Sequence, residues 1–188
     1  TEVEVKVYSG VSNLVGNRPL EEMMQREFDK LGPVPFDTDD SGLANEIRQT
    51  LTKDDIAASF QRVGRETPAD LPLCDFVAPL DRTSSGGEGS TDVGDVSWVV
   101  PTVQARVATC AVGTPFHTWQ TVAQGKAPAA HKGMIHAAKV MAATASALIQ
   151  SPETIEAART VHNDRQVKTP YQCPIPREVS PPIITKPE

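Results

Sequence analysis

The chain has 188 residues, 39% hydrophobic, 5% aromatic and 22% charged, enough for about one domain at roughly 150 residues each. No apolar run approaches the ~20 residues that cross a bilayer as a helix, which excludes a helical membrane span. Lys plus Arg number 18 against 24 Asp plus Glu, a net charge of −6. Phosphate recognition needs a basic patch, so the balance argues against nucleic acid as a partner. The three cysteines lack any CxxC spacing. They build neither a disulfide framework nor a zinc ribbon, and they place the chain in a reducing cytoplasm.

Residues 1–11 alternate polar and apolar, with Val3, Val5 and Val7 on one face, and read as a half-buried strand. A chain that opens inside a strand pattern, without Met, reads as a piece of something longer. Asn17 is placed to cap a helix that carries Pro19 early and Leu20, Met23, Met24, Phe28 and Leu31 at helical spacing, until Gly32-Pro33 ends it. The paired acids Glu21-Glu22 fall in its first turn, where the helix dipole favours them. Residues 43–51 and 54–63 are further helix candidates, and 67–82 is Pro-rich and irregular.

Residues 98–112, with Val99, Val100, Val103, Val107 and Val112, form the strongest strand pattern. A tight loop, Gly113 to Thr118, follows directly. The clearest helix spans 129–150, and its stripe of Met134, Ala138, Met141, Ala145 and Leu148 is built for close packing on a sheet. A last helix is predicted over 152–167. Residues 169–188 hold six of the 16 prolines and form an extended tail. Strands alternating with helices give an α/β class, with chemistry in the loops that follow strands.

Four features compete for a functional role. The loop Gly86 to Asp95 lacks the GxGxxG spacing and the Lys of a phosphate cradle, so it is either a plain flexible loop or one lining a site with Asp92 or Asp95. His117, just after the strand, is either a surface histidine or a metal ligand or proton carrier. His131 and His136 straddle the start of the long helix without four-residue spacing. His162-Asn163-Asp164 matches H-x-D formally, but beside Arg159 and Arg165 it reads as a solvated helix face.

Taken in order, Gly89-Ser90-Thr91-Asp92-Val93-Gly94-Asp95-Val96-Ser97-Trp98, then Gly113-Thr114-Pro115-Phe116-His117-Thr118-Trp119, then Ala130-His131-Lys132-Gly133-Met134 form a specific series. Their order and spacing resemble the C-terminal part of an M20 family metallopeptidase or amidohydrolase, of the aminobenzoyl-glutamate utilization protein B group. The similarity is strong from Gly86 to Ala143 and looser over most of the rest. The resemblance implies an α/β fold: the C-terminal part of a three-layer α/β/α zinc-peptidase-like catalytic domain, preceded by the last strand of a lid or dimerisation domain. It divides the chain into residues 1–17 (closing lid strand), 18–168 (catalytic portion) and 169–188 (Pro-rich tail). It implies hydrolysis of amide bonds in small N-acyl amino acids such as aminobenzoyl-glutamate, with zinc or another divalent metal in the intact enzyme. His117 matches the family's last metal ligand, and Thr91, Asp92 and Asp95 lie on the substrate side.

The departures limit what this chain does alone. The family's early H-x-D ligands, its catalytic Glu-Glu pair and its middle ligand have no match here, so no catalytic residue is assigned. The leading expectation is a C-terminal fragment of a metal-dependent amidohydrolase, inactive alone and holding no metal tightly. Partners of the intact enzyme would be a small N-acyl amino acid and a second copy or a homologous subunit, with no nucleic acid and no membrane. Two alternatives stand beside it: a non-catalytic binding or assembly module, and a subunit completed by a homologous partner. A chain lacking half its fold would also leave apolar surface exposed.

Overall fold

The computed structural model describes residues 1–61, 70–80 and 91–180. Seven helices appear among them, in chain order: α1 (Arg18–Leu31), α2 (Thr38–Arg48), α3 (Lys53–Gln61), α4 (Val93–Val99), α5 (Trp119–Gln124), α6 (Pro128–Ile149) and α7 (Pro152–Lys168). Helix α1 packs on α6 and α7, and α6 packs on α7. The described residues contain no strand.

The helix expectations hold where apolar periodicity carried them. In α1, Leu20, Met23 and Met24 are buried, and each such side chain removed from water contributes ~1.5–3 kcal/mol. Gly32 ends the helix at φ 72°, with its N–H on the Phe28 carbonyl. Asn17 occupies the N-cap position as expected but does not cap. Its side-chain amide donates instead to the Ala158 carbonyl at 2.9 Å, tying α1 to α7. Helix α2 starts further upstream than the sequence pattern indicates, because Asp37 and Asp40 form a reciprocal capping box. Lys132 of α6 then bridges both carboxylates.

Both strand expectations are corrected. Residues 1–11 take no regular structure, and Val3 and Val5 are about 80% exposed (79% and 81%). In the second region, Trp98 and Val99 close α4, and residues 101–109 are neither helix nor ladder. A strand is defined by its neighbour, and no described segment lies beside either one to complete a ladder. The sheet of the expected three-layer arrangement is thus missing from the described residues. Alternation survives in the second segment all the same: Val103, Ala105 and Val107 are half-buried, while Gln104 and Arg106 are exposed.

The packing face of α6 is also corrected. Its buried residues are Ala129, Gly133, His136, Val140 and Thr144, not the Met134–Met141 stripe. Met134 and Met141 are 61% and 60% exposed. The helix has two apolar faces, and α1 and α7 take the one with smaller side chains. Gly133 lets backbone approach closely, since a Cβ there would lie 2.1 Å from the Ala108 carbonyl oxygen. His136 is buried with its ring 6.5 Å from that of Phe28. His162 likewise belongs to the packing rather than to a solvated face. It is 8% exposed, and its Nε2 pairs with the Trp98 carbonyl at 3.2 Å.

Candidate functional site

The loop that carries His117 is tied down at both ends. Upstream, Val112 N–H donates to the Pro72 carbonyl at 2.8 Å, and Ala111 N–H donates to the side-chain oxygen of Gln124 at 2.7 Å. Gln124 is 4% exposed, and its amide nitrogen donates onward to Thr114 Oγ1 and to the Gln120 carbonyl. Downstream, the hydroxyls of Thr118 and Thr121 both donate to the Pro115 carbonyl, at 2.8 and 2.7 Å. Gly113 turns at φ 95° against Ile56, whose Cγ1 would lie 2.7 Å from a Cβ.

At the tip, His117 is exposed and held at φ 64°. Among the described residues it is the one non-glycine residue in the left-handed region. Histidine is enriched there relative to most residues, yet the conformation still costs ~1–2 kcal/mol. A strained backbone persists only where its surroundings over-determine it, and here the surroundings are the hydrogen bonds of this loop. The result is an imidazole presented outward on a fixed base.

Thr91, Asp92 and Asp95 lie at the start of α4. Asp92 is exposed at the N-cap position and makes no side-chain cap. Thr91 Oγ1 accepts the Val93 N–H at 3.3 Å. Asp95 is committed to structure: one oxygen accepts the Ser12 N–H at 3.2 Å and the other the Tyr171 hydroxyl at 2.7 Å. These donors, Tyr171 first, hold its carboxyl below the usual carboxylate range. Tyr171 is pushed the other way, up to about 12, because the adjacent carboxylate disfavours tyrosinate. The ring of Tyr171 stacks on Trp98 with centroids 6.3 Å apart.

The bonds fixing Asp95 run to Ser12 and Tyr171, whereas those fixing the His117 loop run to Pro72 and Gln124. The two sets share no residue. Among the described residues, no three His, Cys, Asp or Glu side chains gather into a metal-binding group. His117 is thus a single imidazole, and these residues alone do not fit a metal centre. Cys110, just upstream of the loop in the chain, has its thiol pushed up by burial, which disfavours the thiolate. Gln124, the residue on which the loop depends most, escapes sequence reading. A glutamine in a six-residue helix carries no periodic or motif signal.

No protein-family model matches the chain, and no solved structure matches it. The B subunit of p-aminobenzoyl-glutamate hydrolase from Escherichia coli is 37% identical over 191 residues, which is 96% of this chain and 40% of that relative. The chain therefore spans about two fifths of the relative's length. No helix among the described residues is long and apolar enough to cross a membrane. The similarity along nearly the whole chain bears out the resemblance to aminobenzoyl-glutamate utilization protein B-like members of the M20 family.

Proposed function

We propose that this chain is the C-terminal part of a metal-dependent amidohydrolase that cleaves amides of small N-acyl amino acids, aminobenzoyl-glutamate among them. The observation that carries the reading is His117, a strained, exposed imidazole on a loop fixed at both ends, in a chain that matches two fifths of a hydrolase polypeptide. In this reading His117 supplies one ligand to a zinc-type site whose other ligands, and the base that activates water, come from the remaining part of the fold. A metal held there would supply Lewis-acid chemistry, and His117 would be the one ligand this chain gives it. The chain's own contribution is to hold one imidazole in place, with Thr91 and Asp92 available on the substrate side. Asp95 acts through position, since both its oxygens are used. The sheet of the three-layer domain belongs to the completed enzyme, which would work in the cytoplasm.

A chimera tests this. The matched portion of the E. coli relative is replaced by this chain, and release of aminobenzoate from p-aminobenzoyl-glutamate is followed in the hydrolase that contains it. Turnover is expected, with a loss above ~100-fold on His117→Ala, because losing even an outer-shell partner of a ligand costs ~10–100-fold and this change removes the ligand itself. The chain alone is expected to bind zinc weakly and to turn nothing over. One tight zinc per isolated chain, with hydrolysis of an N-acyl glutamate, would sink the proposal.

A second reading is favoured by one observation: Asp95, on the expected substrate side, is wholly occupied by Ser12 and Tyr171. That suits an assembly module that keeps the fold and has left the chemistry. Turnover by the chimera decides against it.

A further inference from the structure

A groove of about 510 Å³ runs between α2 and residues 71–75, and neither the His117 loop nor Thr91, Asp92 or Asp95 lines it. That volume suits a small molecule, since ligand pockets span ~300–1,000 Å³. Thr38, Ser41, Gly42 and Asn45 form its α2 wall, one face of the helix at i, i+3, i+4 and i+7. Phe36, Leu71, Pro72 and Leu73 form its apolar side. Leu73 is buried in the core with Ala44, Ile47 and Ala111, and Phe36 packs against that cluster, so this side is fixed from behind.

Gly42 keeps the groove open against the interest of its helix. Glycine in a helix interior is less favourable than alanine. Gly42 is not at positive φ, and a Cβ added there would meet nothing within 4 Å. Neither backbone conformation nor close packing requires glycine here. The space beside it is the groove.

The charge of the lining selects the occupant. Both charged residues on it are acids, Asp37 and Asp75. Asp37 is already used: one oxygen accepts the Asp39 and Asp40 N–H groups, and the other takes Lys132. Lys132 is shared with Asp40, so one ammonium serves two carboxylates. Asp75 is exposed, and its carboxylate meets no donor among the described residues. The Asn45 side chain is likewise unpaired there, and Ser41 Oγ spends its proton on the Asp37 carbonyl at 3.0 Å, leaving an acceptor. An apolar wall facing free acceptors and a surplus of negative charge calls for a cationic donor on an apolar body.

We propose that this groove binds a small molecule carrying an ammonium group on an apolar body and no carboxylate. The body lies on Phe36 and Leu73 in the space beside Gly42, and the ammonium donates to Asp75 with Asn45 and Ser41 as further acceptors. The site is separate from the hydrolase reading above and stands or falls without it.

Titration of the isolated chain by ¹H–¹⁵N NMR tests this, with 2-phenylethylammonium as the ligand and 2-phenylethanol and 3-phenylpropionate as its neutral and anionic counterparts. The ammonium should shift the Gly42, Asn45 and Leu73 amides saturably, with Kd on the order of 1 mM for a body of this size. It should bind ~5-fold tighter than the alcohol, the upper end for an exposed ion pair, and the anion should leave these amides unmoved. Asp75→Asn should erase the preference over the alcohol while leaving the Tm unchanged. Gly42→Leu fills the groove without a clash at Cβ, so its Tm should hold or rise while the shifts disappear. Equal shifts from the three compounds would overturn the proposal, as would shifts that persist in Gly42→Leu or no saturable shift at all. In the chimera the ammonium should raise the Tm, as binding to the folded state requires. A response in the isolated chain alone would also overturn it, because the groove would then be a seat for the rest of the enzyme.

Discussion

Gln124 closes a bond to Ala111 from thirteen residues away, its side-chain oxygen 2.7 Å from a backbone N–H that is otherwise unmet. Ala111 is 2% exposed, so no water replaces that acceptor once it is gone. An orphaned buried N–H costs ~1–3 kcal/mol. Gln124→Ala should therefore lower stability by that amount, read as the midpoint of urea unfolding. Gln120→Ala, one turn earlier on the same helix, should cost less than ~0.5 kcal/mol, because its backbone carbonyl is retained. Equal losses in the two variants would show that Gln124 has no special part in holding the loop.

The two left-handed positions of the loop should respond in opposite ways. Gly113→Ala puts a Cβ 2.7 Å from Ile56 Cγ1 and 3.0 Å from its Cα, at φ 95°. Left-handed strain and overpacking together should cost at least ~2 kcal/mol. His117→Gly relieves ~1–2 kcal/mol of strain against ~0.5–1 kcal/mol of added unfolded-state entropy. Its stability should stay level or rise slightly while the chimera loses activity. A loss above ~1 kcal/mol in His117→Gly would refute strain at this position.

Helices could be read from this sequence because their signals are local. Leu20, Met23 and Met24 repeat on one face of α1, and Gly32 and Pro19 mark its two ends. Motif order singles out His117 as a candidate, but its strained backbone is not legible there, because φ depends on the bonds of the whole loop. The strands were misjudged for a physical reason: Val-rich alternation gives the preference, while a ladder needs a neighbour. The α6 stripe failed similarly. Ala and Met on one side and Gly, His, Val and Thr on the other are both apolar enough to bury, so periodicity names two candidate faces and packing chooses. His162 looked solvated beside its charged neighbours, yet it turns inward to the Trp98 carbonyl.

Alkaline stability should turn on Tyr171. Its folded pKa, about 12, lies above the ordinary value of 10.0, so the phenol favours folding fully below pH ~10. That contribution is lost as pH rises through 10 toward 12. In a Tyr8→Phe background, ultraviolet titration should place the remaining tyrosinate transition near 12. Asp95→Asn should move that transition back down, since the carboxylate is the main cause of the shift. No movement would mean that the Tyr171–Asp95 bond is not made in solution.

Acid stability should turn on Asp37, held down to about 2 from 3.8, first by the Lys132 hydrogen bond and then by the Asp40 N–H. A depressed carboxyl favours folding above its unfolded value and loses that effect as pH falls through 3.8 to about 2. Lys132→Met should flatten the fall in Tm across that window. The group is exposed, so high salt should flatten it as well. An unchanged acid limb in Lys132→Met would rule out this bridge as its source.

Asp95 joins Ser12, 83 residues before it, to Tyr171, 76 residues after it. Closing loops of that length costs entropy that no local contact repays in advance. Helices α6 and α7 are nearly consecutive and can form early, whereas the clasp on α4 needs both distant segments to arrive. Folding should therefore finish at this carboxylate, with quenching of Trp98 by the stacked Tyr171 ring lagging behind helix formation in stopped-flow measurements. Simultaneous signals would disprove that order. The two chain termini are then the last parts to dock and the first to open, and a protease should find residues near Ser12 and Tyr171 long before it reaches α1.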